Sequence, residues 1–168
     1  MRFTAVLDNF NSDLWGHHIR VPKPIAEAFI EGKNRRVLCI LNDQFEIHCA
    51  LMPDGKQGYF ININKEIRTK LKLKVGSEIH AELKKDESEY GLPMPEELAE
   101  LFRQDEEGST LFHALSPGKQ RSLLYIIGKP KSSNTRLRKA LVVVDYLKST
   151  GGKLDFKALN QAFKDSNY

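Results

Sequence analysis

The sequence lacks the features that mark membrane proteins and disulfide-stapled secreted domains. No apolar run reaches the ~18 residues that a membrane-spanning helix needs. The segment Met1–Asp8 alternates polar and apolar residues and lacks the apolar block of a signal peptide. The only two cysteines, Cys39 and Cys49, fall within apolar strand patterns. We therefore expect small buried thiols, and from them a reducing, cytoplasmic setting.

Motifs for common enzymatic and cofactor chemistry are also missing. There is no P-loop, no Gly-x-Gly-x-x-Gly signature and no Gly-x-Ser-x-Gly nucleophile elbow. The five histidines lack the spacing of a helical zinc pair, and no Cys-x-x-Cys motif accompanies them. We therefore predict a protein that is not an enzyme and binds no metal and no cofactor. An internal cavity lined by Trp15, Tyr59 and His80 would instead favour an enzyme.

Charge is distributed unevenly along a chain of otherwise ordinary soluble composition. Residues 1–85 hold 14 Lys/Arg and 10 Asp/Glu, residues 86–108 hold 1 and 9, and residues 109–168 hold 11 and 3. The net charges are therefore +4, −8 and +8. Such asymmetry is typical of a surface that meets an anion or nucleic acid. The alternative is that the acidic stretch folds over the basic one and partly neutralises it.

An internal repeat predicts the architecture of the first half. Residues 58–83 read as a strand, a short helix, a tight turn and a second strand. Apolar positions recur 42 residues earlier, in the pairs Ile61/Ile19, Ile63/Val21, Ile67/Ile25, Leu71/Phe29, Ile79/Val37, Ala81/Cys39 and Leu83/Leu41. Neither half can bury its apolar face alone. Two halves facing each other across a pseudo-twofold axis would close a small barrel of about six strands.

The remainder of the chain reads as helical. Pro95, Ser116 and Asp155 mark helix starts, and apolar residues recur at three- and four-residue spacing after each of them. Residues 104–109 read as the end of the first helix, and a short helix is predicted at about Thr110–Leu115. Residues 132–134 offer a further cap, and the flanks of the β-branched run Val142–Val144 favour a helix over a strand there. We therefore predict an α+β protein with a barrel domain at residues 1–86, an acidic, proline-containing linker at 87–95 and a helical segment at 96–168.

Basic residues cluster around the end of one predicted helix, a short loop and the start of the next. An arginine fork beside helix-terminal amides suits a phosphate, carboxylate or lipid headgroup. The alternative is a solvated basic face. Three aromatic residues here could stack on bases, and at least two of them are expected in the core: Phe112, Tyr125 and Tyr146. Binding of single-stranded nucleic acid is therefore possible but not favoured. The candidate anion-binding residues are Lys119, Arg121, Lys129, Lys131, Thr135, Arg136, Arg138 and Lys139.

Short motifs in both halves resemble known families. Residues 15–22, 36–37, 58–59 and 75–79 resemble a family of small bacterial β-barrels of unknown function. Residues 112–121, 128–131 and 135–139 resemble the YdeI/OmpD-associated, or bacteriocin-protection, segment that is often fused behind such a barrel. The resemblance spans about Phe3 to Lys148.

This resemblance implies a pseudo-symmetric barrel, similar to double-psi types, that carries a basic helical appendage. The family is tied loosely to envelope stress and antimicrobial-peptide tolerance, with no chemistry attached to it. We therefore predict a non-enzymatic protein that binds an anionic ligand or a protein partner through its basic loop. The identity of the partner and the oligomeric state stay open.

A second resemblance supports an alternative function. Residues 63–79 are similar to the hairpin of AbrB/MazE-type DNA-binding regulators, in which basic residues beside the turn meet phosphates. Such regulators usually build one barrel from two short chains, whereas this chain contains both halves. The same pattern is equally typical of lysines on the wet face of a short helix. The residues that would contact DNA are Lys65, Arg68, Lys70, Lys72 and Lys74.

Overall fold

Strands and helices are segregated along the chain. The structure, a computed structural model, describes residues 1–11 and 16–168. The chain divides into a first unit from Met1 to Glu87, which holds the strands, and a second unit from Ser88 to Tyr168, which is helical. The protein therefore has the α+β fold class that the sequence predicts.

The described residues of the first unit form eight strands and two short helices. Their bounds are β1 Arg2–Val6, β2 Asp8–Asn9, β3 His17–Val21, α1 Lys23–Phe29, β4 Arg36–Leu41, β5 Phe45–Ala50, β6 Met52–Pro53, β7 Tyr59–Asn62, α2 Lys65–Lys70 and β8 Glu78–Lys85. The strands make two antiparallel sheets, in the orders β1-β8-β4-β5 and β2-β3-β7-β6. Helices α1 and α2 thus occupy equivalent places, each between a strand of one sheet and a strand of the other.

Alternating side chains give the sheets one buried side. On β8, Ile79, Ala81 and Leu83 are buried, and polar residues lie between them. The inward side chains of the two sheets share a single core, and that core contains both Val21 and Ile63. The predicted apolar positions of the two halves therefore pack against one another.

Two buried leucines carry the chain from one sheet to the other. Leu7 separates β1 from β2, Leu51 separates β5 from β6, and both side chains are fully buried. The Leu7 N–H donates to the carbonyl of Ser77 at 2.8 Å, and the Leu51 N–H donates to the carbonyl of Arg35 at 2.9 Å. The two acceptors are 42 positions apart, which is the offset of the predicted repeat.

Strand register follows the same offset. β3 pairs with β7 so that Ile19 lies opposite Ile61, and β4 pairs with β8 so that Ile40 lies opposite Glu82. The members of each pair are 42 residues apart, and both pairs lie within their ladders. An antiparallel pairing generated by a twofold axis must be centred on equivalent residues, so both registers are compatible with such an axis.

The second unit is organised around one long helix. The bounds of its described helices are α3 Glu96–Gln104, α4 Glu106–His113, α5 Pro117–Gly128, α6 Ser133–Ser149 and α7 Phe156–Asp165. Helix α6 packs against each of the other four. Its β-branched run Val142–Val144 is helical and buried, as the flanking residues predict. Burial against four neighbours outweighs the small helix-propensity penalty of valine.

Two predicted helix starts are confirmed by their side-chain caps. The Ser116 hydroxyl oxygen accepts the N–H of Lys119 at the start of α5, where Pro117 occupies the first turn. The Asp155 carboxylate accepts the N–H of Ala158 at 2.8 Å at the start of α7. Both helices therefore begin where the sequence places them.

Helix α4 begins earlier than the sequence predicts. It starts at Glu106 rather than near Thr110, because the Asp105 carboxylate accepts the N–H of Gly108 at 2.8 Å and caps the helix. Gly108 then lies against α6. A Cβ atom at this position would lie 2.5 Å from Cγ1 of Val144, so the close approach of the two helices requires glycine.

We predict that Gly108→Ala destabilises the second unit by about 1–3 kcal/mol, because the added methyl group overpacks the α4–α6 contact. Urea denaturation followed by circular dichroism measures the effect. Val144→Ala removes the methyl group that Gly108→Ala would strike. The double variant should therefore be more stable than the sum of the two single changes predicts. Strict additivity would contradict the close approach.

Candidate functional site

Helices α5 and α6 bring most of the predicted anion-binding residues to the loop that joins them. Helix α5 ends at Gly128, and the short connection to α6 contains Pro130, which cannot continue the helix. The Nζ atom of Lys139, on the second turn of α6, lies 3.4 Å from the carbonyl oxygen of Ile126 on α5. The loop and the two helix ends around it therefore form one local surface.

Arg136 fixes this loop from within. Its Nε donates to both carboxylate oxygens of Glu97 on α3, at 3.0 and 3.1 Å, and its Nη2 lies 2.8 Å from one of them. Its Nη1 donates to the carbonyls of Pro130 and Lys131, at 3.1 and 2.8 Å. The sequence predicts Arg136 as an anion clamp, and in the structure its fork holds the protein's own carboxylate.

Glu97 is correspondingly stabilised in its charged form. The Arg136 guanidinium, together with the Ser133 hydroxyl that donates to Oε1 at 2.7 Å, lowers the pKa of Glu97 to about 2. The Ser133 side chain therefore forms a hydrogen bond with Glu97 of α3. The start of α6 lacks a side-chain cap, whereas the sequence predicts that residues 132–134 supply one.

The other predicted cations keep their charges unpaired. Lys129, Lys131 and Arg138 are exposed, whereas Lys139 is half-buried. We call these four residues the basic loop end. Within residues 1–11 and 16–168, none of the four forms an ion pair. Thr135, also a predicted site residue, is half-buried on the first turn of α6.

Lys119 and Arg121 are not part of the basic loop end. They lie on the first turns of α5, and the ten-position separation between Lys119 and Lys129 corresponds to roughly 15 Å of helix. Lys119 is exposed and Arg121 is half-buried. The predicted set of eight therefore divides into the four cations of the basic loop end, the internal Arg136, the half-buried Thr135 and two cations further along α5.

Tyr125, one of the three aromatic residues that the sequence offers for stacking, lies exposed on this surface. Its side chain is 56% exposed, and Nζ of Lys129 lies 5.5 Å from the centre of its ring. Phe112, by contrast, is fully buried. The signal in the sequence is helical phase, because Leu123, Leu124 and Ile127 form the buried face and Tyr125 falls opposite them.

The alternative DNA-contacting residues lie on α2 and the turn that follows it. Arg68 is used internally, since its Nη1 donates to the carbonyl of Ile63 at 2.8 Å. Lys70 lies 3.0 Å from Glu66 and stacks over Phe45. The other three predicted contacts are exposed: Lys65, Lys72 and Lys74.

The residues that would line an enzymatic cavity are not brought together within the described chain. Tyr59 packs against the core of the first unit, whereas His80 lies on the outer side of β8 with 67% of its side chain exposed. Trp15 lies outside the described residues. His80 borders an open groove of about 400 Å³ in which Arg2 is flanked by Asp43 and Glu82.

The histidine, cysteine and carboxylate side chains of the described residues were natural candidates for a metal or redox site. Across residues 1–11 and 16–168, no cluster of three or more His, Cys, Asp or Glu side chains is placed to hold a metal ion. Cys39 is fully buried and Cys49 half-buried, and both are free thiols. A hydrogen bond with Cys49, followed by burial, raises the pKa of Cys39 above its ordinary value, so this thiol stays protonated.

Comparison with protein families identifies both parts of the chain. Residues 92–149 match the family described as Bacteriocin-protection, YdeI or OmpD-Associated. Residues 3–83 match the family described as Domain of unknown function (DUF1905). The protein therefore joins this domain of unknown function to a YdeI/OmpD-associated segment, which confirms the resemblance predicted from the sequence. No curated protein and no solved structure gives a significant match.

The matched segments correspond to observed structure. The YdeI/OmpD-associated match ends with α6 and contains the whole basic loop end. Helix α7 lies beyond it, although Leu159 of α7 is part of the same core. In the described ranges, no helix has the length and apolar character that crossing a membrane requires.

We predict that Glu97→Gln lowers stability at neutral pH, because it removes the charge that holds Arg136. The folded pKa of Glu97, about 2, lies below the ordinary value of 4.5. Its contribution is therefore complete above about pH 5 and declines as the pH falls towards 2. Urea denaturation of both proteins between pH 3 and pH 7 should show their difference shrinking with acid. Glu106→Gln removes an exposed carboxylate from α4 and should show little difference at any pH.

Proposed function

We propose that this is a non-enzymatic binding protein of the bacteriocin-protection type, and that it binds an anionic ligand or partner through the basic loop end. The observation that carries this proposal is the absence, among the described residues, of any ion pair to Lys129, Lys131, Arg138 or Lys139. Clustered like charges raise the local potential and attract anions. The family description agrees with a protective role, although it names no ligand.

The distribution of ion pairs supports a localised anion-binding surface rather than general neutralisation of the basic segment by the acidic stretch. Helix α3 and the start of α4 carry most of the acidic stretch. Within the described residues, two of its carboxylates form ion pairs with cations of the basic segment: Glu97 pairs with Arg136, and Asp105 lies 2.9 Å from Nζ of Lys148. Glu100 pairs with Arg103 on its own helix. The acidic stretch therefore leaves the basic loop end uncovered by these ion pairs.

The start of α6 adds to the attraction. In the part of the chain that the structure describes, the Ser132 side chain makes no capping hydrogen bond to the first amides of α6, and the 17-residue helix directs the positive end of its dipole towards the loop. Lys131 precedes these amides by two residues. An anion at this position would meet backbone donors and mobile ammonium groups together, which is a recurrent arrangement for phosphate binding.

We propose a closed, pseudo-twofold barrel of about six strands for the first unit. Support comes from the buried leucines, Leu7 and Leu51, through which the outer strands of one sheet continue into those of the other. If β1 and β2 count as one continuous strand, and β5 and β6 as another, the neighbouring strands form a closed ring. Its order is β1/β2, β3, β7, β6/β5, β4 and β8, which returns to β1. The 42-residue offset in both strand pairings, and between the carbonyl acceptors of the two leucine hydrogen bonds, supports two related halves.

Inorganic polyphosphate tests the proposed site, because it presents negative charge without bases or acyl chains. The triple variant Lys129→Gln, Lys131→Gln, Arg138→Gln should weaken polyphosphate binding by at least about tenfold, whereas the unmodified protein should lose affinity steeply as salt rises. Fluorescence-detected titration at two salt concentrations gives both quantities. All three side chains are exposed, so the variant should retain its fold.

A matched control removes the same charge from the alternative DNA-contacting surface. The triple variant Lys65→Gln, Lys72→Gln, Lys74→Gln should bind polyphosphate as the unmodified protein does. Equal losses in the two triple variants would show that only net charge matters. Loss of duplex-DNA binding confined to this control would instead support the AbrB/MazE-like regulator and contradict the proposal.

A further inference from the structure

Along one face of α5, a cation, an aromatic ring and a second cation follow one another. Arg121, Tyr125 and Lys129 are spaced four residues apart, so they lie along one side of the helix at intervals of about 6 Å. In the described chain neither Arg121 nor Lys129 forms an ion pair. This stripe extends the basic loop end along α5 and adds an aromatic group to it.

Tyr125 is exposed on this stripe, and the contacts of its side chain within the described residues do not account for that exposure. More than half of its side chain is accessible, and among the described residues the ring interacts with Lys129, whose Nζ lies 5.5 Å from the ring centre. By contrast, the hydroxyl of Tyr90 bonds His113, and that of Tyr146 bonds the backbone at Asp155. The Tyr125 ring is therefore available to stack on an external planar group.

We propose that α5 binds a single-stranded nucleic acid, with a base stacked on Tyr125 and phosphates held by Arg121 and Lys129. A single strand repeats phosphate, base and phosphate, and its bases have free faces that stack on aromatic side chains. In a duplex these faces are covered by neighbouring bases. This inference rests on the proposed anion-binding function and adds the class of ligand.

Other anionic partners fit the stripe less well. A helix that lies on a lipid surface presents a broad apolar face with several large side chains. The outward face of α5 instead carries one aromatic residue, Tyr125, between Ser122 and Lys129. A free phosphate would use the cations alone and leave the ring without a role. The exposed ring is thus the feature that separates nucleic acid from these alternatives.

Fluorescence anisotropy with a labelled oligothymidylate of about ten residues tests the inference. Tyr125→Ala should weaken oligothymidylate binding about tenfold, which corresponds to the loss of one stacked base. Tyr125→Phe keeps the ring and should bind as the unmodified protein does. Neither change should alter polyphosphate binding, since polyphosphate has no bases. Circular dichroism checks that both variants, changed at an exposed position, retain their helices.

The controls separate this inference from the function on which it rests. If polyphosphate and oligothymidylate both bind and Tyr125→Ala weakens neither, base stacking is overturned and the anion site stands. If neither polymer binds at low salt, both proposals fall. Binding to phosphatidylglycerol vesicles without binding to the oligonucleotide would overturn the inference in favour of a lipid surface.

Discussion

The candidate site depends on the ion pair between Glu97 and Arg136. One guanidinium joins α3 to α6 and also holds two carbonyls of the loop, at Pro130 and Lys131. Such bidentate, charge-assisted bonds define geometry as well as supplying energy. The loop is therefore fixed by a group that is itself neutralised, and the exposed Lys129 and Lys131 beside it form no ion pair within the described residues.

This division of roles explains how the second unit tolerates a strongly basic segment. Arg136 and Lys148 are neutralised by carboxylates of the acidic stretch and tie elements of the unit together. The remaining cations lie where water and salt screen their mutual repulsion. Exposure keeps the energetic cost of clustering them low, and it also leaves their charges accessible to a ligand.

Periodicity in the sequence predicted most of the secondary structure. Alternation predicted β4 and β8, and helical spacing with the Ser116 and Asp155 caps predicted α5 and α7. The early start of α4 was missed because Asp105 and the following acidic residues read as the end of the preceding helix. Its decisive contact, between Gly108 and Val144, joins residues distant in sequence.

Composition predicted a basic surface but could not assign a partner to each cation. Arg136 resembled a ligand-binding fork in the sequence, and only the fold shows that Glu97 occupies it. Tyr125 is one of three aromatic residues of which the sequence predicts at least two in the core, and the phase of α5 exposes it. In both cases the missing information was a tertiary contact, or the lack of one, rather than the character of the residue.

The central claim is that the basic loop end is where the protein meets an anion. Amide chemical-shift mapping by nuclear magnetic resonance, during titration with inorganic polyphosphate at low salt, tests it most directly. The account predicts that the largest shifts occur at residues 129–139, with the side-chain signals of Arg136 little changed because Glu97 still holds it. Shifts concentrated at residues 65–74, or spread evenly over all exposed lysines, would contradict it.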